Sequence, residues 1–153
     1  IVHLIGGRMN GSAFSLLRIA FEALIRGAWL QLCATPHELD IFVEKDRLPY
    51  GLDFGNMVAA VEAHQDFPDQ ALSNLKHNSW KAMNGYTHGG MHQVCRRFNG
   101  NDIEPTYAPE EIIEVLLAAG TFALMALLQI ARLAKNENLA HDVNQKLNTG
   151  VWG

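Results

Sequence analysis

The sequence predicts an all-α fold, an antiparallel bundle of four to five main helices. Three observations point there. Apolar residues recur at helical spacing in the long stretches around 12–34, 80–98 and 109–135. Helix-starting and helix-stopping residues punctuate the segments between them. No segment alternates apolar and polar residues with period two for long enough to make a strand.

At 153 residues, 48% apolar and 18% charged, the chain reads as one globular helical domain over 1–153, long enough to bury a core. The net charge of −4 argues against general attraction to a nucleic-acid backbone, but summed charge says nothing about an individual basic pocket. Two cysteines, Cys33 and Cys95, make no disulfide framework, and the default compartment is a reducing cytoplasm.

The opening IVHLIGG is apolar but short and lacks the basic segment of a signal peptide. It reads as the tail of an element that begins earlier. Gly6, Gly7, Asn10 and Gly11 make a turn, and Asn10 or Ser12 can cap the helix that follows. That helix, roughly 12–34, is apolar almost all round, which implies burial between other helices. Its exception is a narrow stripe of Arg18, Glu22 and Arg26 at i, i+4 and i+8. Either this is a surface ion-pair ladder, or it is buried and requires partners from another polar stripe.

Thr35-Pro36-His37-Glu38 has the capping-box arrangement, with Thr at the N-cap, Pro at N1 and Glu at N3. The second helix should run to about Arg47, before Pro49. Asp53 caps a third, roughly 54–65, with Phe54, Met57, Val58 and Val61 inward, ended by Phe67-Pro68-Asp69. A short helix over 69–77 follows, and Asn78 or Ser79 caps the next. A loop over 99–109 is rich in Asn, Gly, Asp and Pro. Pro109-Glu110-Glu111 starts the longest helix, to about Lys135. It carries no charge between Glu114 and Arg132, so a membrane span must be considered, although the run is slightly short for one. Gly120, Thr121 and Gln129 favour a buried bundle helix and dimer face instead, with no membrane association. A more polar helix over 137–148 ends the fold, and Gly150 to Gly153 reads as a segment that continues.

The chemistry concentrates in Trp80 to Phe98, WKAMNGYTHGGMHQVCRRF. On one helix, Trp80, Met83, Thr87, Met91, Val94 and Phe98 make a core stripe. Lys81, Asn84, His88, His92 and Arg96 then make a ladder that can donate, accept or move protons, with His77 and Cys95 beside it. Histidine is the usual general acid or base near neutral pH. Asparagine can orient its ring or hold a phosphate oxygen, and arginine can stabilise added negative charge. Gly85, Gly89 and Gly90 interrupt this ladder. Each costs roughly 1 kcal/mol relative to alanine inside a helix, so the trio implies either close packing with a kink or backbone access for a substrate. Trp29 and Trp80 read as core, and His3, His37, His64 and His141 as surface or cap residues.

Asn84-Gly85-Tyr86-Thr87-His88 on a late helix of an α-bundle resembles the motif of the HEPN superfamily, small helical domains that include toxin and antiviral ribonucleases. The wider strings NGYTHGGMHQVCRR and RIAFEALIRGAWL are similar to an uncharacterised bacterial branch placed near it. HEPN nucleases carry Arg-polar-x(3)-His. Asn84 and His88 match the last two, while Met83 stands at the arginine position. Lys81, or Arg26 from the first helix, would then supply the cation. The resemblance implies metal-independent RNA cleavage by a homodimer, and no cofactor is expected. His88 would move a proton, Asn84 would position the phosphate, and Arg18, Glu22, Tyr86, His92, Arg96 and Arg97 would support or hold substrate.

Two other classes compete. A non-catalytic helical module that binds a protein partner or a ligand fits the missing arginine, the acidic balance and the glycines. A helix-bundle metal site could use His88 and His92 at i, i+4 with Glu22 as third ligand, although HxxxH without an intervening glutamate is a weak signal.

Overall fold

A computed structural model describes residues 1–64 and 70–149. The fold is all-α. The chain forms two compact units, Ile1–Phe21 with Ser79–Gly153, and Glu22–Asn78. The division falls inside α2, the helix Asn10–Leu32, which follows the short α1, Val2–Gly6.

In the unit Glu22–Asn78, local capping sets the helix ends. Helix α3, Pro36–Lys45, starts with the expected capping box. Glu38 N–H donates to Thr35 Oγ1 at 3.3 Å, and Thr35 N–H donates to Glu38 Oε2 at 2.7 Å. The Thr35 N–H and the Thr35 hydroxyl, which donates to the same Oε2 at 2.8 Å, stabilise the carboxylate and hold its pKa below the usual value. Asp46, in the left-handed region at φ 46°, ends the helix. Asp53 caps α4, Phe54–Glu62, by accepting from Asn56 N–H at 2.8 Å, and α4 buries Met57, Val58 and Val61. Leu24, Ile25, Ala28, Trp29 and Leu72 are also buried in this unit.

Helix α5, Ala71–Thr87, replaces the expected short helix at 69–77 and a separate helix from 80. Asn78 and Ser79 are helix interior, not caps. The start of α5 is capped from a distance. Glu62 Oε1 accepts from the N–H groups of Leu72 (2.7 Å) and Ser73 (3.0 Å), and Ser73 Oγ bonds Oε2. A carboxylate at a helix N-terminus satisfies donors that have no intrahelical acceptor and complements the dipole. Glu62→Ala should therefore lower stability by about 1–3 kcal/mol, read as a shift in the urea midpoint. A loss below about 0.5 kcal/mol would show that the cap is dispensable. The expected break at Phe67-Pro68-Asp69 and the final 150–153 lie outside the described residues.

In the unit Ile1–Phe21 with Ser79–Gly153, the core is built from Ala13, Phe14, Leu17, Phe21, Met83, Val115, Phe122, Leu128, Ala131 and Val143. Phe21 and Phe122 stack with ring centroids 5.2 Å apart. The predicted burial of the first helix on every side does not hold. Leu16 and Ile19 are exposed, so α2 keeps an apolar surface facing outward.

Helix α7, Pro109–Leu133, and α8, Glu137–Thr149, pack on each other across a three-residue connection in which Lys135 takes a positive φ of 53°. Pro109 occupies the first turn of α7, and Glu111 Oε2 accepts from Ala108 N–H at 2.9 Å. Asn136 caps α8 through Leu139 N–H at 3.1 Å. Helix α7 is less covered than its composition suggests. It is long and apolar enough to cross a membrane, and only 17% of its most apolar stretch is buried. Ile113, Leu117, Leu127, Ile130 and Leu133 are exposed, which corrects the expectation of a fully buried helix.

Candidate functional site

The stretch 80–98 is not one helix. Helix α5 ends at Thr87, a short α6 covers Met91–Cys95, and a two-residue hairpin follows, β1 Phe98–Asn99 antiparallel to β2 Asp102–Ile103. The glycines are the physical reason. Gly89 takes φ +67°, which residues with a Cβ rarely adopt. Gly90 N–H then reaches back to Gly85 O at 2.7 Å, the six-to-one bond of a Schellman C-cap. A Cβ on Gly90 would sit 3.0 Å from Gly85 Cα, so two glycines meet at this closure. The trio terminates a helix, which gives these glycines a structural reason.

This break dismantles the expected ladder. His88 sits at the exposed C-terminal end of α5, while His92 and Arg96 belong to the next element. The side chain of His92 lies outside the described residues. The metal reading loses its premise, because His88 and His92 are no longer one turn apart on one helix. Among the described residues no group of three His, Cys, Asp or Glu could hold a metal ion.

Arg96 is engaged elsewhere. Its guanidinium pairs with Glu111 on α7 and donates to Thr106 O at 3.2 Å, while Thr106 N–H returns to Arg96 O at 2.9 Å. This clasp ties the loop before α7 to the end of α6. Arg97 is exposed. Tyr86 is half-buried edge-on to Phe14, centroids 4.9 Å apart, and Tyr107 lies against the same ring at 4.8 Å. Ser15 joins α2 to α5 by donating to Tyr86 O at 2.8 Å and to α6 by accepting from Gln93 Nε2 at 3.1 Å, and Thr87 Oγ1 donates to Ser15 O at 3.0 Å.

Burial pushes both phenols above their ordinary pKa. For Tyr86 the Glu111 carboxylate adds to this and Arg96 opposes it, and for Tyr107 the neighbouring Tyr86 adds to it. A raised folded-state pKa means that the folded chain keeps the phenolic proton longer than the unfolded one. Their contribution is complete below the unfolded value near 10 and is lost as pH rises above it. Urea unfolding from pH 9 to 11 should show falling stability, and Tyr86→Phe should flatten that fall. An unchanged slope in the variant would exclude Tyr86 as a source.

What the fold does assemble is a cation on His88. Arg18 projects from α2 so that its guanidinium lies over the Trp80 ring, 5.0 Å from the centroid, and Nη1 bonds His88 Nε2. Guanidinium has no acceptor, so Nε2 accepts and the ring proton is on Nδ1. One turn before His88, Asn84 Oδ1 is buried with no hydrogen-bond donor among the described residues. Such an orphan costs about 1–3 kcal/mol, so it calls for a functional or structural reason. Lys81 is exposed, and the cation that meets the imidazole is Arg18 in its place. Glu22, half-buried, and Arg26, exposed, belong to the other unit.

The family model described as a family of unknown function, DUF6988, matches residues 1–149. The chain belongs to that family. Neither a curated protein nor a solved structure matches it. In this DUF6988 chain the arginine of the site stands on α2, where its place in the Arg18, Glu22, Arg26 stripe was the available sequence signal. That it selects His88, 70 positions away, is a property of the packing of α2 on α5.

Proposed function

We propose that the chain is a metal-independent endoribonuclease of HEPN-like type, with Arg18, Asn84 and His88 as its working group. The contact between the Arg18 guanidinium and the His88 imidazole carries this reading. It supplies, from α2, the cation whose motif position is taken by Met83. Exposure of His88 at a helix end leaves its imidazole reachable by a polymer substrate.

RNA brings its own nucleophile. The 2′-hydroxyl adjacent to the scissile phosphate is already positioned for attack, so the protein needs only to move a proton and stabilise charge. A phosphate oxyanion is a better partner for a guanidinium than a neutral imidazole is, because the bonds are charge-assisted and bidentate. Substrate therefore draws Arg18 onto the phosphate and frees the Nε2 lone pair. His88 takes the 2′-hydroxyl proton as the bond from the 2′-oxygen to phosphorus forms. The bond from phosphorus to the 5′-oxygen breaks, that oxygen gains a proton from water, and the hydroxide left takes back the proton held by His88. The products are a 2′,3′-cyclic phosphate and a 5′-hydroxyl. Asn84 is a positioning residue, its buried Oδ1 ready for the Nδ1 proton of the turned ring.

The test is incubation of purified protein with end-labelled single-stranded RNA in excess chelator. Cleavage with cyclic-phosphate ends, absent on an otherwise identical DNA strand, is the expected result. Intact RNA, or equal cleavage of DNA, would remove the reading and leave the helical binding module as the better account.

A further inference from the structure

The same unit carries a second cationic feature that the nuclease reading does not use. A groove of about 290 Å³ opens where the turn before α2 meets the hairpin segment. Arg8, Arg96 and Arg97 line it together with Asn10, Gly11 and Tyr107, and no carboxylate does. Within a chain of net charge −4, this is a local reversal of sign. The Arg96 charge is met by Glu111. Arg8 and Arg97 are exposed and have no ion-pair partner among the described residues.

Three further observations describe what would fit. The groove takes in the first turn of α2. Ala13 N–H bonds Met9 O, and the N–H groups ahead of it have no acceptor within the helix. Gly11 lets Tyr107 close over this turn, since a Cβ there would lie 3.2 Å from the phenolic oxygen. Asn10 Oδ1 is buried without a donor. A ligand for this groove therefore offers an anion to the arginines. A ribonucleotide offers one in its phosphate.

Position on α2 links the groove to the site. Gly11 and Arg18 are seven residues apart, which is close to two turns, so they share a helix face about 10 Å apart along the axis. We infer that the groove is a phosphate-binding subsite that holds the RNA strand beside the scissile linkage, with Arg8 and Arg97 gripping a neighbouring phosphate. The inference rests on the ribonuclease reading and names how its substrate is held.

The experiment measures binding and cleavage separately. Binding of a single-stranded RNA octamer is followed by fluorescence anisotropy in the His88→Ala protein across a salt series, and cleavage is followed in the wild-type background. Arg8→Gln with Arg97→Gln should weaken binding at least tenfold at low salt and reduce the salt slope by about one. Lys146→Gln, an exposed cation on α8, should change neither. Thermal melts of each variant establish that the fold is kept. Unchanged affinity and slope in the double variant, or no RNA binding by the His88→Ala protein, would overturn the subsite. Cleavage that persists without dependence on Arg8 and Arg97 removes the subsite and leaves the nuclease. Binding that depends on them without any cleavage leaves the subsite and removes the nuclease.

Discussion

Arg18→Ala should lower the rate of RNA cleavage by about 10²–10³, the usual loss when one charge-stabilising donor is removed from a phosphoryl or acyl transition state. His88→Ala should cost about 10²–10⁴, the range for a positioned general base. Arg18→Lys distinguishes charge from shape. It keeps the cation but loses the planar fork and the stacking on Trp80, so it should recover only part of the loss. The reading places the effect in kcat more than in KM, because charge grows on the phosphate during the reaction. Neither change should unfold the protein, since His88 is exposed and Arg18 keeps part of its surface in water. Cleavage at the wild-type rate by both alanine variants would end the proposal. A fall confined to KM would recast Arg18 as a binding residue only.

The largest effect on stability should come from Phe21→Ala, a loss of about 3–5 kcal/mol. Phe21 is fully buried, at 0% exposure, and its ring stacks on Phe122 at an interplanar angle of 21°. Truncation removes the whole ring from water-free packing and leaves a cavity among groups held by the backbones of α2 and α7. The comparison is Ile19→Ala on the same helix. Ile19 is 52% exposed, so its truncation should stay near 0.5 kcal/mol, as surface changes do. Equilibrium urea unfolding measures both. A loss below 1 kcal/mol for Phe21→Ala would show that the two rings do not form a tightly packed core. The two residues look alike in sequence, both large and apolar on the same apolar helix. Only the packing around α2 separates them.

Much of the fold is legible residue by residue. The Thr35 and Glu38 box, the Asp53 cap and the Pro109 start sit at their expected positions because each is a bond between neighbours in sequence. Where the sequence misleads, the deciding partner is distant. Local rules divide α5 into a short helix over 69–77 and a second one capped by Asn78 or Ser79, yet Glu62 on α4 caps a single helix that begins at Ala71. The ladder over 80–98 follows from helical spacing alone, yet Gly89 and the approach of Gly90 to Gly85 close the helix before His92.

The amino-acid sequence by itself determined that this chain is helical, where α3, α4, α7 and α8 start, and that Asn84 and His88 stand one turn apart. Those properties come from hydrogen bonds and side-chain periodicity within a few residues. Tertiary structure decided which cation meets His88, that Arg96 serves Glu111 instead of the ladder, and that Arg8 and Arg97 share a groove. These pairings join positions up to 89 residues apart, and their geometry depends on how helices pack, which local propensity does not encode.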